Sequence, residues 1–142
     1  MTLKINSILK IYLRLWIVCC ACTVLASCAQ RDKEPELRAA VARFHTLYNE
    51  QKFDEIYAHA SLLYKRRTSP AAHTEYFSEI YRRDGRLEDT HRANTLHRHS
   101  IDFEFYVLSY SSHFENRKAT EDIVFNYDLT EGGPLLAAYE RE

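Results

Sequence analysis

The chain has 142 residues, with 19 Lys and Arg against 20 Asp and Glu, four cysteines and three glycines. Its length suits one domain, and 27% charged with 46% hydrophobic residues is a globular rather than a disordered or collagenous composition. A net charge of −1 gives no electrostatic case for nucleic acid, and three glycines supply no phosphate-cradling loop.

Charge and cysteine are unevenly distributed. Residues 1–14 carry Lys4, Lys10 and Arg14 and no acid, and residues 15–26 (LWIVCCACTVLA) run without a charge. A basic start, a short apolar run and small residues after it describe a secretory signal. At 1.5 Å per residue the uncharged run covers about 18 Å, short of a hydrocarbon core of about 30 Å. Extending it back through Ile5–Leu13 would place Lys10 and Arg14 inside the apolar phase, at high cost. All the thiols, Cys19, Cys20, Cys22 and Cys28, lie in or beside this segment. The chain beyond residue 28 therefore has no disulfide, no cysteine zinc site and no cysteine nucleophile.

Leu25-Ala26-Ser27-Cys28 resembles the lipobox of bacterial lipoproteins: a large apolar residue, two small ones, then cysteine. Small residues let a peptidase approach the backbone, and the thiol is the nucleophile that takes the lipid. The resemblance implies that Cys28 is lipidated and becomes the mature N-terminus, with more than one acyl chain to hold it stably. An ordinary signal cut near Ala26 or Ala29 is the alternative. In such lipoproteins the residue after the cysteine influences sorting. Ala29 is not the Asp of inner-membrane retention, which implies the outer membrane, facing the periplasm, where a source has two. The resulting division is a signal over 1–27, a lipidated N-terminus and linker over 28–35, and one α+β domain over 36–142. Loss of Lys4, Lys10 and Arg14 leaves the rest acidic, so acyl chains rather than a basic patch should do the anchoring.

Within the domain, Leu37, Ala40, Val41, Phe44, Leu47 and Tyr48 recur at helical steps and predict a helix over Glu36–Asn49, with Pro35 in its first turn. A second helix is expected over Lys52–Ala60, placing Phe53, Ile56, Tyr57 and Ala60 on one face. Leu62, Leu63 and Tyr64 should pack before a basic break at Lys65-Arg66-Arg67. Ser69-Pro70 starts a third helix running to Arg83, with Ala72, Tyr76, Phe77, Ile80 and Tyr81 inward and Gly85 as its stop. The period then changes to two. Strands are expected over Thr90–Ser100, Asp102–His113, Ala119–Asp128 and Leu135–Tyr139, with turns at Glu115-Asn116-Arg117 and Glu131-Gly132-Gly133-Pro134. The fold class is α+β: about three helices packed on a curved antiparallel sheet of about four strands.

This order of elements, with FHTLYNEQKFDEIYAHAS, a Phe-bearing third helix and YVLSYSSHFENRKATEDIVF, resembles the nuclear transport factor 2-like (cystatin-like) cone. More narrowly it is similar to a family of small exported bacterial proteins of unknown function, which implies no catalytic residue. The short last strand departs from that pattern, in which a final strand closes the sheet.

Few constellations carry chemistry. His91, His97 and His99 share strand parity, and the spacing of His97 and His99 suits Zn²⁺ or Cu²⁺, with Asp89 as a further ligand. The interleaved Arg92 and Arg98 oppose a cation, so no metal and no cofactor is expected. Enzymes on this cone set an acid or His base and Tyr donors in the cone mouth, and a buried base needs apolar walls. Here Asp102, Asp122, Asp128 and Glu104 lie among Tyr106, Tyr110 and Tyr127. Ser109, Ser111 and Ser112 beside His113 form no legible triad, because strand neighbours face opposite ways. Lys65–Arg67, Arg82, Arg83 and Arg86 should cap helix ends.

The function expected is a membrane-anchored, non-enzymatic envelope lipoprotein. Its partners are the membrane through Cys28, and a protein or small apolar ligand held on the sheet face. The alternatives are an isomerase- or dehydratase-type enzyme and a homodimeric structural module.

Overall fold

The computed structural model describes residues 32–99, 104–127 and 133–142. Four helices precede the sheet: α1 (Glu34–Asn49), α2 (Phe53–Ala58), α3 (Leu62–Arg67) and α4 (Pro70–Asp84). Four strands follow: β1 (Leu87–His99), β2 (Glu104–Phe114), β3 (Lys118–Tyr127) and β4 (Pro134–Arg141). They pair antiparallel in chain order, forming an open sheet with β1 and β4 at its edges. The α+β architecture and its boundaries follow the sequence pattern closely. The expected signal and lipobox lie outside the described residues. Among the described residues, no helix is long and apolar enough to cross a membrane.

Local chemistry accounts for the elements. Pro35 sits in the first turn of α1, with Glu34 and Glu36 at the positive end of its dipole. Ser61 and Ser69 each cap a helix, their hydroxyls accepting the Tyr64 and Ala72 amides at 3.2 Å. Helix α3 was not expected. The run Lys65-Arg66-Arg67 is its last turn rather than a break, because cations are favourable at the negative end of a helix. Gly85 ends α4 at φ 79°, where a Cβ would meet the Glu115 side chain at 2.6 Å.

The stripe of α4 also differs from expectation. Ala72 and Tyr76 face outward, and His73 and Asp84 are buried beside Phe77 and Ile80. Polar groups take these positions because each is fully bonded. The Phe53 carbonyl accepts from His73 Nε2 at 2.8 Å, which leaves Nδ1 to accept from the Tyr64 hydroxyl at 2.7 Å. Burial then lowers the His73 pKa and keeps the ring neutral.

All helices cover one face of the sheet. Leu108, Tyr110 and Phe114 of β2, and Ile123 and Phe125 of β3, meet Leu37, Val41, Phe44 and Tyr48 of α1 in the core. Phe77 lies at the centre, stacked on Phe53 at 5.8 Å and on Tyr139 at 5.3 Å, with Phe44 edge-on at 5.9 Å. The opposite face carries Phe105, Val107, Ser109 and Ser111 of β2 beside Asp122 and Val124 of β3.

Removing the central ring should be costly. Phe77→Ala is expected to lower stability by about 3–5 kcal/mol, read as a fall in the urea midpoint at unchanged slope. A loss below about 1 kcal/mol would show that the core does not pivot on this ring.

Candidate functional site

Three places on the domain concentrate polar or accessible chemistry. The first is a buried ionic cluster under the helices. Glu121 shares the strand phase of Ala119, Ile123 and Phe125, so it points into the core and is fully buried. Arg141 of β4, its side chain 1% exposed, spans Glu121 Oε1 at 3.2 Å and Asp84 Oδ2 at 3.1 Å. Its guanidinium also donates to the Tyr139 hydroxyl at 2.6 Å and to the Tyr48 hydroxyl at 3.1 Å, and lies 3.8 Å from the Phe114 ring centre. Tyr139 donates in turn to Glu121 Oε1 at 2.5 Å, and the Ser112 hydroxyl donates to Oε2. His45 places Nε2 3.4 Å from Glu121 Oε2. Arg83 holds Asp84 from the solvent side in a fork at 2.7 and 2.9 Å.

These contacts decide the protonation states. Burial alone would raise the Glu121 pKa, but His45 and the Ser112 and Tyr139 hydroxyls outweigh it and hold the carboxyl at about 2. The Arg83 fork likewise lowers Asp84 against the opposing effect of burial, with Arg141 adding to it. Burial pushes the Tyr139 phenol well up, so it stays a neutral donor. An isomerase-type site needs a buried acid raised toward neutrality. Both buried acids here are held ionised and paired. The cluster is an electrostatic tie between α4, β3 and β4.

The second place is the opposite end of the sheet. Lys33, just before α1, ion-pairs with Glu104 at the start of β2 and lies 4.4 Å from the Tyr127 ring centre. His97 Nε2 meets Glu104 Oε1 at 2.8 Å, and its ring stacks on Tyr106 at 4.4 Å and 6°. His99 pairs in register with Glu104 and is exposed. The shared parity of three histidines fails. A register shift between Arg92 and Asn94 inserts one residue, so His91 pairs with Ser111 on the open face while His97 pairs with Tyr106 under the helices. His91 instead contacts the neighbouring Asp89 at 3.0 Å. Among the described residues no three His, Cys, Asp or Glu side chains are arranged to hold a metal ion.

The candidate acids also separate. Glu104 meets the Tyr106 hydroxyl at 2.9 Å, whereas Asp122 pairs with Ser109 on the opposite face. Asp102 and Asp128 lie outside the described residues. Tyr110 faces the helices and accepts from Arg92 at 3.2 Å. Of the serines, Ser109 and Ser111 take the open face with His113, and only Ser112 turns inward.

The third place is a cleft of about 390 Å³ between α1, α2 and the start of β4. Ala40, Phe44 and Leu47 of α1, Ile56 of α2, Phe125 of β3 and Leu136 of β4 supply its apolar lining. Its polar groups are Glu36, Arg43 and His59. Arg43 donates to His59 Nε2 at 2.7 Å, so Nδ1 carries the proton and donates to the Glu55 carbonyl at 2.8 Å. Periodicity placed Ala40 in the core. It packs half-buried against the core, and its small side chain also borders the cleft. Neither this cleft nor the Glu121 cluster was anticipated. A charged residue in phase with core residues at 121 and 141 was the available signal for the cluster. Compared with protein-family models and with curated proteins, the chain matches none.

The cluster predicts a pH dependence with a definite sign. The folded pKa of Glu121 lies below its ordinary 4.5, so its contribution is complete above about pH 4.5 and is lost as pH falls toward 2. Glu121→Gln should flatten the loss of stability between those limits, followed by urea unfolding across that range. Arg141→Met removes the guanidinium from the buried Glu121, while Arg83 still holds Asp84, and is expected to cost about 3–5 kcal/mol at pH 7. Its effect should shrink on acidification, and an equal effect at pH 7 and pH 3 would contradict the pairing.

Proposed function

We propose that this is a lipid-anchored, non-enzymatic protein of a bacterial envelope whose domain binds a small apolar ligand in the cleft between α1, α2 and β4. Leu25-Ala26-Ser27-Cys28 supports the anchor, and Ala29 supports delivery to an outer membrane where there is one. The resemblance to the cone-shaped exported family agrees with a binding role, since it brings no catalytic residue.

The observation that carries the ligand reading is the cleft. Its volume of about 390 Å³ falls in the range of about 300–1,000 Å³ usual for small-molecule sites. Apolar walls with a few polar groups at one side are the usual chemistry of such sites. Burial there rewards an alkyl or ring system at about 25 cal/mol per Å². Arg43, an exposed cation in contact with His59, can meet an anionic head group. The sheet face is the weaker location, because Ser109, Ser111, Thr120 and Asp122 make half of it polar. Among the described residues the two buried acids, Asp84 and Glu121, have lowered rather than raised pKa values, which disfavours the enzyme alternative.

Two measurements test this reading. Labelled palmitate should enter the wild type and not Cys28→Ser, and equal incorporation would remove the anchor. A fluorescent fatty acid should bind the purified protein saturably, and Ala40→Trp should abolish that binding with the circular dichroism spectrum unchanged. Binding that survives Ala40→Trp would place the ligand elsewhere.

A further inference from the structure

The two ends of the sheet differ in how the chain reaches them. At one end, Lys33 is held by Glu104 and by the Tyr127 ring, and the Tyr127 hydroxyl donates to Glu36 at 3.2 Å. The Lys33 carbonyl already accepts the Leu37 amide at 3.0 Å, so no slack exists from this residue onward. At the other end, Asn49 at the close of α1 exchanges two hydrogen bonds with Leu87, and the Phe114–Lys118 turn closes β2 on β3. Helix α1 thus runs from the Glu104 end of the sheet toward the Phe114 end. From Glu104 to Phe114 the strand covers about 33 Å at 3.3 Å per residue.

Cys28 is five residues before Lys33, a separation of at most about 18 Å. The acyl chains proposed above would therefore tie the Glu104 end close to the bilayer, while the Phe114–Lys118 turn lies farther from the pinned residue than the tether is long. Exposure favours the same direction. Leu96, 43% exposed, stands near the Glu104 end with exposed Arg98 and His99, and Glu104 itself is already paired.

We infer that the end of the sheet bearing Leu96, Arg98, His99 and Glu104 is the face the domain presents to the lipid surface, with the Phe114–Lys118 turn directed away from it. This orientation rests on the lipidation of Cys28. It is set by the short tether and its pinned exit at Lys33 rather than by charge, so it should not depend on the anionic lipid content.

The test uses the full lipidated protein. Cys28 is consumed by the lipid, so His99→Cys, Leu96→Cys and Asn116→Cys each supply one free thiol for a small fluorophore. The labelled proteins are placed on vesicles of phosphatidylethanolamine and phosphatidylglycerol carrying a nitroxide on the head group. Labels at 99 and 96 should be quenched several-fold more strongly than the label at 116, with the same ratio in vesicles lacking phosphatidylglycerol. Two near-end positions guard against one variant misfolding. Equal or inverted quenching in protein that co-floats with the vesicles would overturn the orientation and leave the anchor standing. Protein that does not co-float would overturn the anchor, and the orientation with it.

Discussion

The Arg141 guanidinium is the point on which the rest of the domain is registered. A cation without water costs several kcal/mol unless its hydrogen bonds and charge are met. Here they are met by Glu121 from the neighbouring strand, Asp84 from the end of α4, and the Tyr48 and Tyr139 hydroxyls. The planar fork of arginine can reach two carboxylates at once, which an ammonium cannot do in the same geometry. Because Arg141 stands at the end of the edge strand β4, this contact fastens an edge that has a neighbour on one side only.

The contact also depends on a local irregularity. Leu136 pairs with Phe125 and Tyr139 pairs with Ile123, so one extra residue lies in β4 between them. Without that bulge, strand alternation would turn Tyr139 and Arg141 to the open face and leave Glu121 buried without a cation. The bulge therefore divides β4 into two parts with different duties. Its second half is locked to α4 by an ion pair and to α1 by a hydrogen bond, whereas Pro134–Leu136 lines the cleft opposite Ala40 and Phe44. Tight closure at one end of α1, where Tyr48 donates to the Gly85 carbonyl at 3.0 Å, coexists with open space at the other. The pinned start of α1 at Lys33 and the part of the cleft lined by Glu36 and Pro134 share the end we assign to the lipid side.

Much of this architecture was legible from residue order, and the reasons for the misses are physical. Apolar periodicity located α1, Ser69-Pro70 and Gly85 bracketed α4, and alternation located β2 and β3. Polar residues carried by tertiary bonds escaped that reading. His73 and Asp84 belong to the inward stripe of α4 because Tyr64, Phe53 and Arg141 satisfy them, and no local pattern announces those partners. The bulge at residue 93 broke the parity of the histidines, since a register shift depends on the partner strand. Helix α3 is a six-residue segment made by a serine cap and a basic last turn, too short to show a period. The cleft depends on which neighbour stands opposite Ala40, which is a matter of packing alone.

The proposed anchor can be tested most directly at the N-terminus of the protein. Mass spectrometry of the protein extracted from bacterial membranes should find the chain beginning at Cys28, its mass raised by a diacylglyceryl group and an amide-linked acyl chain. A chain that begins at Met1 or Ala29, or an unmodified Cys28, would contradict the assignment. The short tether, and the orientation derived from it, would then have no foundation.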